Sequence, residues 1–513
     1  MTGYYLGIDA GGTMTKVALI DTDGNEQGVE LAPNHMLLTH PGWTERDGEA
    51  MWQAACSSIR ALLARSGVSP GQILAVAPTG YGGGGYFVDG EGNPTRNGIV
   101  STDTRIAPLI DDWNRSGIAA QIRAAIGQQN WGGQTLGLMA WIDRNEPGVA
   151  ARTRHVLGCK DFLRLRLCGD ISTDPTDAGC AGLLDLARGT YSHEALRLAG
   201  IAHWADKLPP LGPGTEVTGH VSARAAAQTG LAEGTPVVRG VYDVVGCALA
   251  TGVMARDQLA AVAGTFAIHS TLHDKPCLDP LPTIQTPYPI AGLFIATMAT
   301  PTSAGNLEWL RRTMLGREIA EAERQGRSLY DLTSEMVAAT LDRPNDILFA
   351  PFIFGGPEGV PAGLVGLRAD SGMADILRAV YEGVVFSHRS DMDYLLGGPQ
   401  SARVRSVRLA GGAAKSLLWS QMMADGLSLP VELAEGNELG IKGAALCSAV
   451  ALGHVPDMQG AIARMVRISA RRAPDPWRRD MLQAKFGRYQ RLVSALIQLE
   501  QPVDAAERMA CHA

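Results

Sequence analysis

Two stretches of this 513-residue chain carry side chains whose types and spacing could do chemistry. The first is Gly240-Val-Tyr242-Asp243-Val-Val-Gly246, near the middle. The apolar run Pro236 to Val238 just before it reads as a strand, and a helix is expected from Val244. Asp243 then stands at the head of that helix. Free N–H groups and a partial positive charge there favour an ionised carboxylate. Such a carboxylate can accept the proton of an attacking hydroxyl, as in phosphoryl transfer, or it can simply cap the helix. The second stretch is Asp9-Ala-Gly11-Gly12-Thr13-Met-Thr15-Lys16, set between the expected strands Tyr4 to Ile8 and Val17 to Asp21. A glycine turn lets backbone approach phosphate closely. Thr13 and Thr15 offer hydroxyls, Lys16 a cation, and Asp9 a carboxylate able to hold a hydrated Mg²⁺. The Walker pattern is absent and no helix follows, so this is a hairpin loop and not a P-loop. A hairpin whose glycines serve turn geometry alone is the competing reading.

Further candidates lie along the chain. Thr79-Gly80-Tyr81 opens into four consecutive glycines, Gly82 to Gly85. Strands flank the run closely, so unusual backbone geometry or close approach to a ligand explains it better than a flexible linker does. In Thr102-Asp103-Thr104-Arg105 an acid and a base stand two apart on a loop. They can fork onto vicinal hydroxyls of a sugar or form an exposed salt bridge of little worth. Glu45, in Gly42-Trp-Thr-Glu-Arg-Asp47, is a substrate contact or a surface loop residue, the latter being the plainer reading. Gly264-Thr265, between two strands, echoes the opening loop and suggests two related halves. Gly411-Gly412-Ala413-Ala414-Lys415-Ser416 joins a strand to a helix, where bare backbone accepts a flat ring or a phosphate or merely makes a turn. Ser303 is a candidate cap for the helix that follows it.

These groups need elements to hold them. Helical spacing predicts long helices from Gly48 to Ser66 and from Asp375 to Leu396. Strands are expected at Ile73 to Ala77, Ile290 to Ala299, Asp346 to Phe354, Val404 to Leu409 and Leu429 to Leu433. The Ala/Gly-rich Gly440 to Leu452 reads as a helix built for close packing, and Arg464 to Leu499 as mostly helix. Length favours two sizeable domains, with the boundary placed at Gly252: residues 1–252 and 253–513. With 46% apolar residues a full core is available, and a net charge of −7 without any basic stripe argues against nucleic-acid binding. Eight scattered cysteines, none in a C-x-x-C pair, fit neither a metal cage nor a disulfide framework. They point to a reducing cytoplasm. The chain enters its first strand at once, with no signal peptide expected and no apolar run of transmembrane length.

The order of motifs resembles the FGGY family of carbohydrate kinases. The most specific part is Ala362-Gly-Leu-Val-Gly-Leu367, then seven residues, then Asp375-Ile376 and Ala379-Val-Tyr-Glu382. The resemblance runs from Tyr5 to about Ala445. Within the family the chain is most similar to L-xylulose kinases, through Gly42 to Asp47, Tyr242 to Val245, Pro301 to Trp309 and Tyr381 to His388. It implies an α/β fold of the actin, hexokinase and ribonuclease H-like ATPase class, with two domains flanking a central cleft. Asp243 becomes the catalytic base and Asp9 the residue that organises Mg²⁺. Gly11, Gly12, Thr13, Thr15 and Lys16 form one phosphate loop, and Gly264 and Thr265 the other. Asn306, Gly411, Gly412, Ala413 and Ser416 contact the nucleotide; Thr79, Gly80, Tyr81, Asp103, Arg105 and Tyr242, with Asp243, contact the sugar. The family's sugar contacts do not carry over in this glycine run, since relatives carry a glutamine or similar polar residue near Tyr81 and a bulkier residue at Gly83 or Gly85. The implied activity is ATP-dependent phosphorylation of a primary hydroxyl on a small sugar, a ketopentose such as L-xylulose. D-xylulose, ribulose, erythritol and glycerol are alternatives, as is a non-catalytic nucleotide-dependent regulator. Expected partners are the sugar alone, without nucleic acid or membrane, and a homodimer is left open.

Overall fold

The computed structural model describes residues 3–397 and 403–500. Cys511 and the tail from Gln501, expected to fray, lie outside the described residues. Contacts group the chain into two compact units that do not follow chain order. The first comprises 1–258, 270–297 and 434–469; the second comprises 259–269, 298–433 and the remainder from 470.

The first sheet is built from β1 (Tyr4–Ala10), β2 (Met14–Asp21), β3 (Glu26–Pro33), β4 (Ile73–Gly80), β5 (Val217–His220) and β6 (Pro236–Val238), in the order β5-β6-β4-β1-β2-β3. β1 to β3 form an antiparallel meander, and β4 joins β1 in parallel. The second sheet uses β7 (Gln258–Ala263), β8 (Ala267–His273), β9 (Ile284–Pro287), β10 (Phe294–Thr300), β11 (Ser406–Gly411), β12 (Val431–Ala434) and β13 (Ile468–Arg472). Its order is β9-β10-β8-β7-β11-β12-β13. Both sheets therefore set a first strand between its hairpin partner on one side and strands that arrive after long crossovers on the other. The echo of Gly-Thr loops in the sequence has its counterpart in this repeated order. Arg464 to Leu499, expected to be mostly helix with an interruption at Pro474-Asp-Pro476, breaks there and also holds the strand β13. Its β-branched start, Ile468, follows a helix that ends at Met465, and the helix resumes at Pro476. The strand expected over Asp346 to Phe354 shrinks to Leu348–Ala350.

Helix α1 (Gly48–Ser66) forms where the periodicity placed it. Asp47 caps it by accepting from the N–H groups of Glu49 and Ala50, and Gly67 closes it in the left-handed region. Its buried face, with Trp52, Ile59 and Leu62, packs into the core around β1 and β2. No helix among the described residues is long and apolar enough to cross a membrane, and no described cysteine is joined in a disulfide.

Two helices in the first unit approach more closely than side chains allow. In α4 (Asp243–Ala250) and α8 (Leu439–Ala451) Gly246 faces Gly443, and a Cβ added at Gly443 would lie 2.3 Å from the Gly246 carbonyl oxygen. A Cβ on Gly7 of β1 would meet Ile441 of α8 at 2.4 Å. Glycine at these points lets α8 press against both α4 and β1. Gly443→Ala should overpack this contact and cost about 1–3 kcal/mol or more. Gly487→Ala, at a helical site with open space around the glycine, should instead add about 0.5–1 kcal/mol. Thermal unfolding of both variants checks the contrast: a fall in midpoint for the first and a slight rise for the second.

Candidate active site

Three parallel strands end at one edge of the first sheet, the place where open α/β sheets bind ligands. β1 ends at Asp9 and Ala10, in register with Thr79 and Gly80 of β4. β6, parallel to β4, leads through Gly240 to Asp243. Gly240 has φ of +74°, and a Cβ there would lie 2.2 Å from the Pro78 carbonyl oxygen. Only glycine lets the chain turn over β4 into α4.

Asp243 is the first residue of α4, and the cap position falls on Tyr242, which supplies no side-chain hydrogen bond. The Asp243 carboxylate accepts from the Val244 N–H. Burial first, and then the negative charge of Asp9, raise its pKa well above the ordinary carboxylate range, with Asp177 adding to the effect and Val244 opposing it. This reverses the expectation that the helix end keeps the acid ionised, because desolvation and like charge outweigh a single N–H. Asp9 has one buried carboxylate oxygen, Oδ1, without a hydrogen-bond partner. Its pKa is pushed up to about 6 by burial, with Lys16 pulling it down and Glu438 pushing it further up. Gly440, near the start of α8, lies against Asp9 Oδ2, which a Cβ there would meet at 3.2 Å.

The loop after β1 is held from behind. Gly11 O accepts from Asn34 Nδ2 at 2.9 Å and from Arg46 Nη2 at 2.9 Å, and Gly12 O accepts from Arg46 Nη2 as well. Because a trans peptide points N–H and C=O in opposite directions, the Gly12 and Thr13 amides face away from these braces. Thr13 is exposed, whereas Thr15 is buried and donates to Asn34 Oδ1 at 2.8 Å. Lys16 Nζ pairs with Glu438 Oε2 at 2.7 Å. Sequence reasoning missed Arg46 as a functional residue; its only signal was membership of the Gly42 to Asp47 stretch. It is buried, and its guanidinium lies 5.5 Å from the centre of the Tyr81 ring.

The other residues read as sugar contacts shape the site more than they offer free polar groups. Thr79 donates to Val241 O at 2.7 Å, and the Tyr81 and Tyr86 hydroxyls are 3.1 Å apart. The glycine run is a packed wall. A Cβ on Gly82 would meet Cys180 Sγ at 2.5 Å and the Tyr242 ring at 2.8 Å, and one on Gly83 would meet the Trp131 ring at 2.3 Å. Asp103 and Arg105 are both buried, so the exposed ion pair is corrected. Arg105 bonds Asp103 and Glu45, each at 2.9 Å, and lies over the Trp43 ring at 4.3 Å. Asp103 Oδ2 also accepts from the Thr44 N–H at 2.7 Å, and Oδ1 from the Arg105 N–H at 2.8 Å. These donors fill its acceptor sites. Glu45 is likewise buried, and is shared between Arg105 and Arg96.

Helix α3 (Pro175–Cys180) is anchored by a second charged group, on helix α2 (Cys159–Cys168). Lys160 lies 2.6 Å from Asp161 and 3.0 Å from Asp174, all three buried, and Asp174 caps α3. Asp161, held also by Arg164 at 2.7 Å, stays charged, with a pKa lowered to about 2 despite burial because two cations face it. Burial and the neighbouring Asp161 and Asp174 charges push Asp177 up to about 8, against the pull of Lys160.

In the second unit the Gly264-Thr265 turn links β7 to β8. Gly264 O accepts from the Ala304 N–H at 2.9 Å. Gly411, with φ of +85°, packs on this turn, and a Cβ there would lie 2.6 Å from Ala263 O. Gly412 and Ser416 line a cavity of about 860 Å³ together with Ala304, Tyr330, Tyr381 and Trp419. Ser416 spends its hydroxyl as the cap of the helix Leu417–Leu427, and Ala413 is fully buried. Asn306 is buried too, with its side chain bonded to Ser303 O and the Ile353 N–H.

Residues 4–250 match the model of the FGGY family of carbohydrate kinases, N-terminal domain, and residues 259–452 match that of its C-terminal domain. The chain is 34% identical to an L-xylulose/3-keto-L-gulonate kinase of Escherichia coli (strain K12), over 97% of this chain and 98% of that protein. It is 31% identical to a probable L-xylulose kinase of Haemophilus influenzae, over 97% and 100%. The fold matches the crystal structure of xylulose kinase from Rhodospirillum rubrum with a TM-score of 0.82, at 24% identity, covering 97% of this chain and 99% of the other. Two matched family domains and a relative aligned end to end, on a fold whose strand ends gather Asp9, Gly80 and Asp243, make this chain a member of the FGGY family of carbohydrate kinases.

Proposed function

We propose that this sugar kinase phosphorylates a primary hydroxyl of a ketopentose, with L-xylulose the first substrate to test. Supporting this are the names of the two relatives above, one of which adds 3-keto-L-gulonate. The observation that carries the mechanism is the placing of Asp243. It is a carboxylate at a strand-to-helix turn, next to bare glycine backbone, with its proton affinity raised by burial and by Asp9. A base needs enough basicity to take a hydroxyl proton in the transition state, and a raised carboxylate suits that task better than an ordinary one. In the proposal Asp243 takes the proton as the sugar oxygen attacks the γ-phosphorus of ATP. The Gly12 and Thr13 amides and the Thr13 hydroxyl are the donors offered to the transferring phosphoryl group, and Gly264 and Thr265 of the second unit are read as a phosphate loop for the nucleotide. The adenosine part fits the 860 Å³ cavity, against Gly412 and the aromatic rings beside it.

Mg²⁺ suits Asp9. A buried carboxylate oxygen without a partner is stabilised by a cation, and Mg²⁺ is commonly held by one or two carboxylates together with water and phosphate oxygens. Bound there, it would neutralise charge on the phosphates. Phosphoryl transfer asks little else of the protein beyond positioning and charge stabilisation. Lys16 and Thr15, committed to Glu438 and Asn34, support the loop from within. The regulator reading drew on the glycine run, and that run is walled by Trp131, Tyr242 and Cys180 as a built surface.

ADP release across L-xylulose, 3-keto-L-gulonate, D-xylulose, ribulose, erythritol and glycerol tests the substrate. One ketose should exceed the rest in kcat/KM, and stimulation by glycerol or erythritol alone would overturn the ketopentose reading. Asp243→Asn should lower kcat by at least ~10²-fold with little change in ATP affinity, and near-normal turnover would remove Asp243 as the base. Arg46→Lys keeps the charge but loses the fork that grips two carbonyls. It should lower kcat about 10–100-fold, in line with a small misplacement of a catalytic loop, and leave the KM for sugar near normal. Steady-state kinetics with each substrate varied separates these outcomes.

A further inference from the structure

Two of the stretches that carry the resemblance, Pro301 to Trp309 and Tyr381 to His388, meet inside the second unit through side chains the mechanism above does not use. Ser303 Oγ is 2.9 Å from His388 Nε2, and His388 Nδ1 is 2.9 Å from His269 Nε2. All three residues are fully buried. Ser303 was expected to cap the helix Gly305–Met314, but the cap position falls on Ala304, which makes no side-chain cap bond, and the Ser303 hydroxyl turns to His388. The contacts continue beyond His269. His269 Nδ1 lies 3.8 Å from Asp391 Oδ2, and Asp391 Oδ2 accepts from Thr300 at 2.7 Å. Thr300 is 2.8 Å from Thr302, which accepts from Ser387 at 2.8 Å.

A neutral imidazole has one N–H and one lone pair. Bonds at both nitrogens of His388 therefore require it to donate at one and accept at the other, so the Ser303 and His269 contacts set its tautomer together, and burial holds both rings neutral. Full burial also denies Ser303 any contact with substrate, so it is no nucleophile. Its neighbours show what it serves. Ala304, the next residue, donates its N–H to Gly264 O, Gly305 packs on Thr265 O, and His269 sits on the strand that leaves the same turn. Both sides of the Gly264-Thr265 turn are thus tied to one histidine of the helix Met373–Leu395.

We propose that Ser303, His388 and His269 are positioning residues that fix the Gly264-Thr265 turn against the phosphates of the nucleotide. The proposal rests on the reading of that turn as a phosphate loop. It gives a reason for a buried polar chain in this core even though His269 Nδ1 has no hydrogen-bond partner, an arrangement that is costly on its own.

Titration of the full-length protein with ATP and, separately, with adenosine tests it. Adenosine reports the cavity, and the ratio of the two affinities reports the phosphate loop. Ser303→Ala should cut the preference for ATP over adenosine about tenfold, the scale of one buried hydrogen bond whose partner is left unsatisfied, with adenosine affinity unchanged. His388→Gln, whose amide reaches as far as Nε2, should keep most of the preference; His388→Asn, whose amide reaches only to Nδ1, should lose it. Gly264→Val is the control for the loop itself. Its Cβ would meet only ordinary contacts, yet the side chain would fill the space over the turn. If Gly264→Val loses the preference and Ser303→Ala and His388→Asn keep it, the positioning role is overturned while the loop reading stands. If Gly264→Val keeps it, the loop reading fails and takes this proposal with it. Equal losses of ATP and adenosine affinity in Ser303→Ala and His388→Asn would mark a merely structural role and overturn the proposal.

Discussion

The backbone contact of Gly246 with Gly443 is the constraint on which the rest of the first unit's site depends. Asp243 heads the helix that contains Gly246, and Gly440 packs on Asp9 from the helix that contains Gly443. The distance between those two helices therefore fixes how closely the two carboxylates are held. Close approach without side chains also leaves both carboxylates half-buried, with little water around them. Partial desolvation raises the cost of ionising either carboxylate, and like charge raises it further. A packing feature written in glycines thus becomes an electrostatic feature written in acids.

The unit uses buried charge in two opposite ways. Around Lys160 every carboxylate that must remain charged has a cation within ion-pair distance, and the group locks helix α3 to helix α2. Breaking such a group leaves an uncompensated charge, so its value lies in holding one arrangement more than in net stability. At the ends of the parallel strands the reverse holds. Asp9 keeps an oxygen unpaired, and Asp243 has only one N–H for support. A carboxylate left short of partners at strand ends, with no cation in ion-pair contact, is where a ligand can complete the structure.

Much of this was legible in the sequence. The strand-loop-strand around Gly11 and Gly12, the capped helix from Gly48 and the strand-to-helix turn at Asp243 follow from short-range rules of turn and cap chemistry. The resemblance carried the fold class. What could not be read was the fate of side chains whose partners lie far away in the chain. Arg46 grips carbonyls 34 and 35 residues before it, and no local pattern announces that. Asp103, Arg105 and Glu45 looked exposed because polar residues on loops usually are, but they bond one another and pack against Trp43 and Arg96. Ser303 looked like a cap by position, but a histidine 85 residues on claimed its hydroxyl. The strand at Ile468 was hidden because a basic, helix-prone stretch surrounds it and the sheet edge decides its state.

The central claim is that Asp243 stands where the acceptor hydroxyl arrives. A structure of the enzyme with its ketose and a non-hydrolysable ATP analogue measures this directly. The account predicts a carboxylate oxygen of Asp243 within roughly 2.6–3.2 Å of the primary hydroxyl, hydrogen-bond reach for a general base. A productive complex in which that hydroxyl lies beyond reach of Asp243 and is met by another base would contradict it.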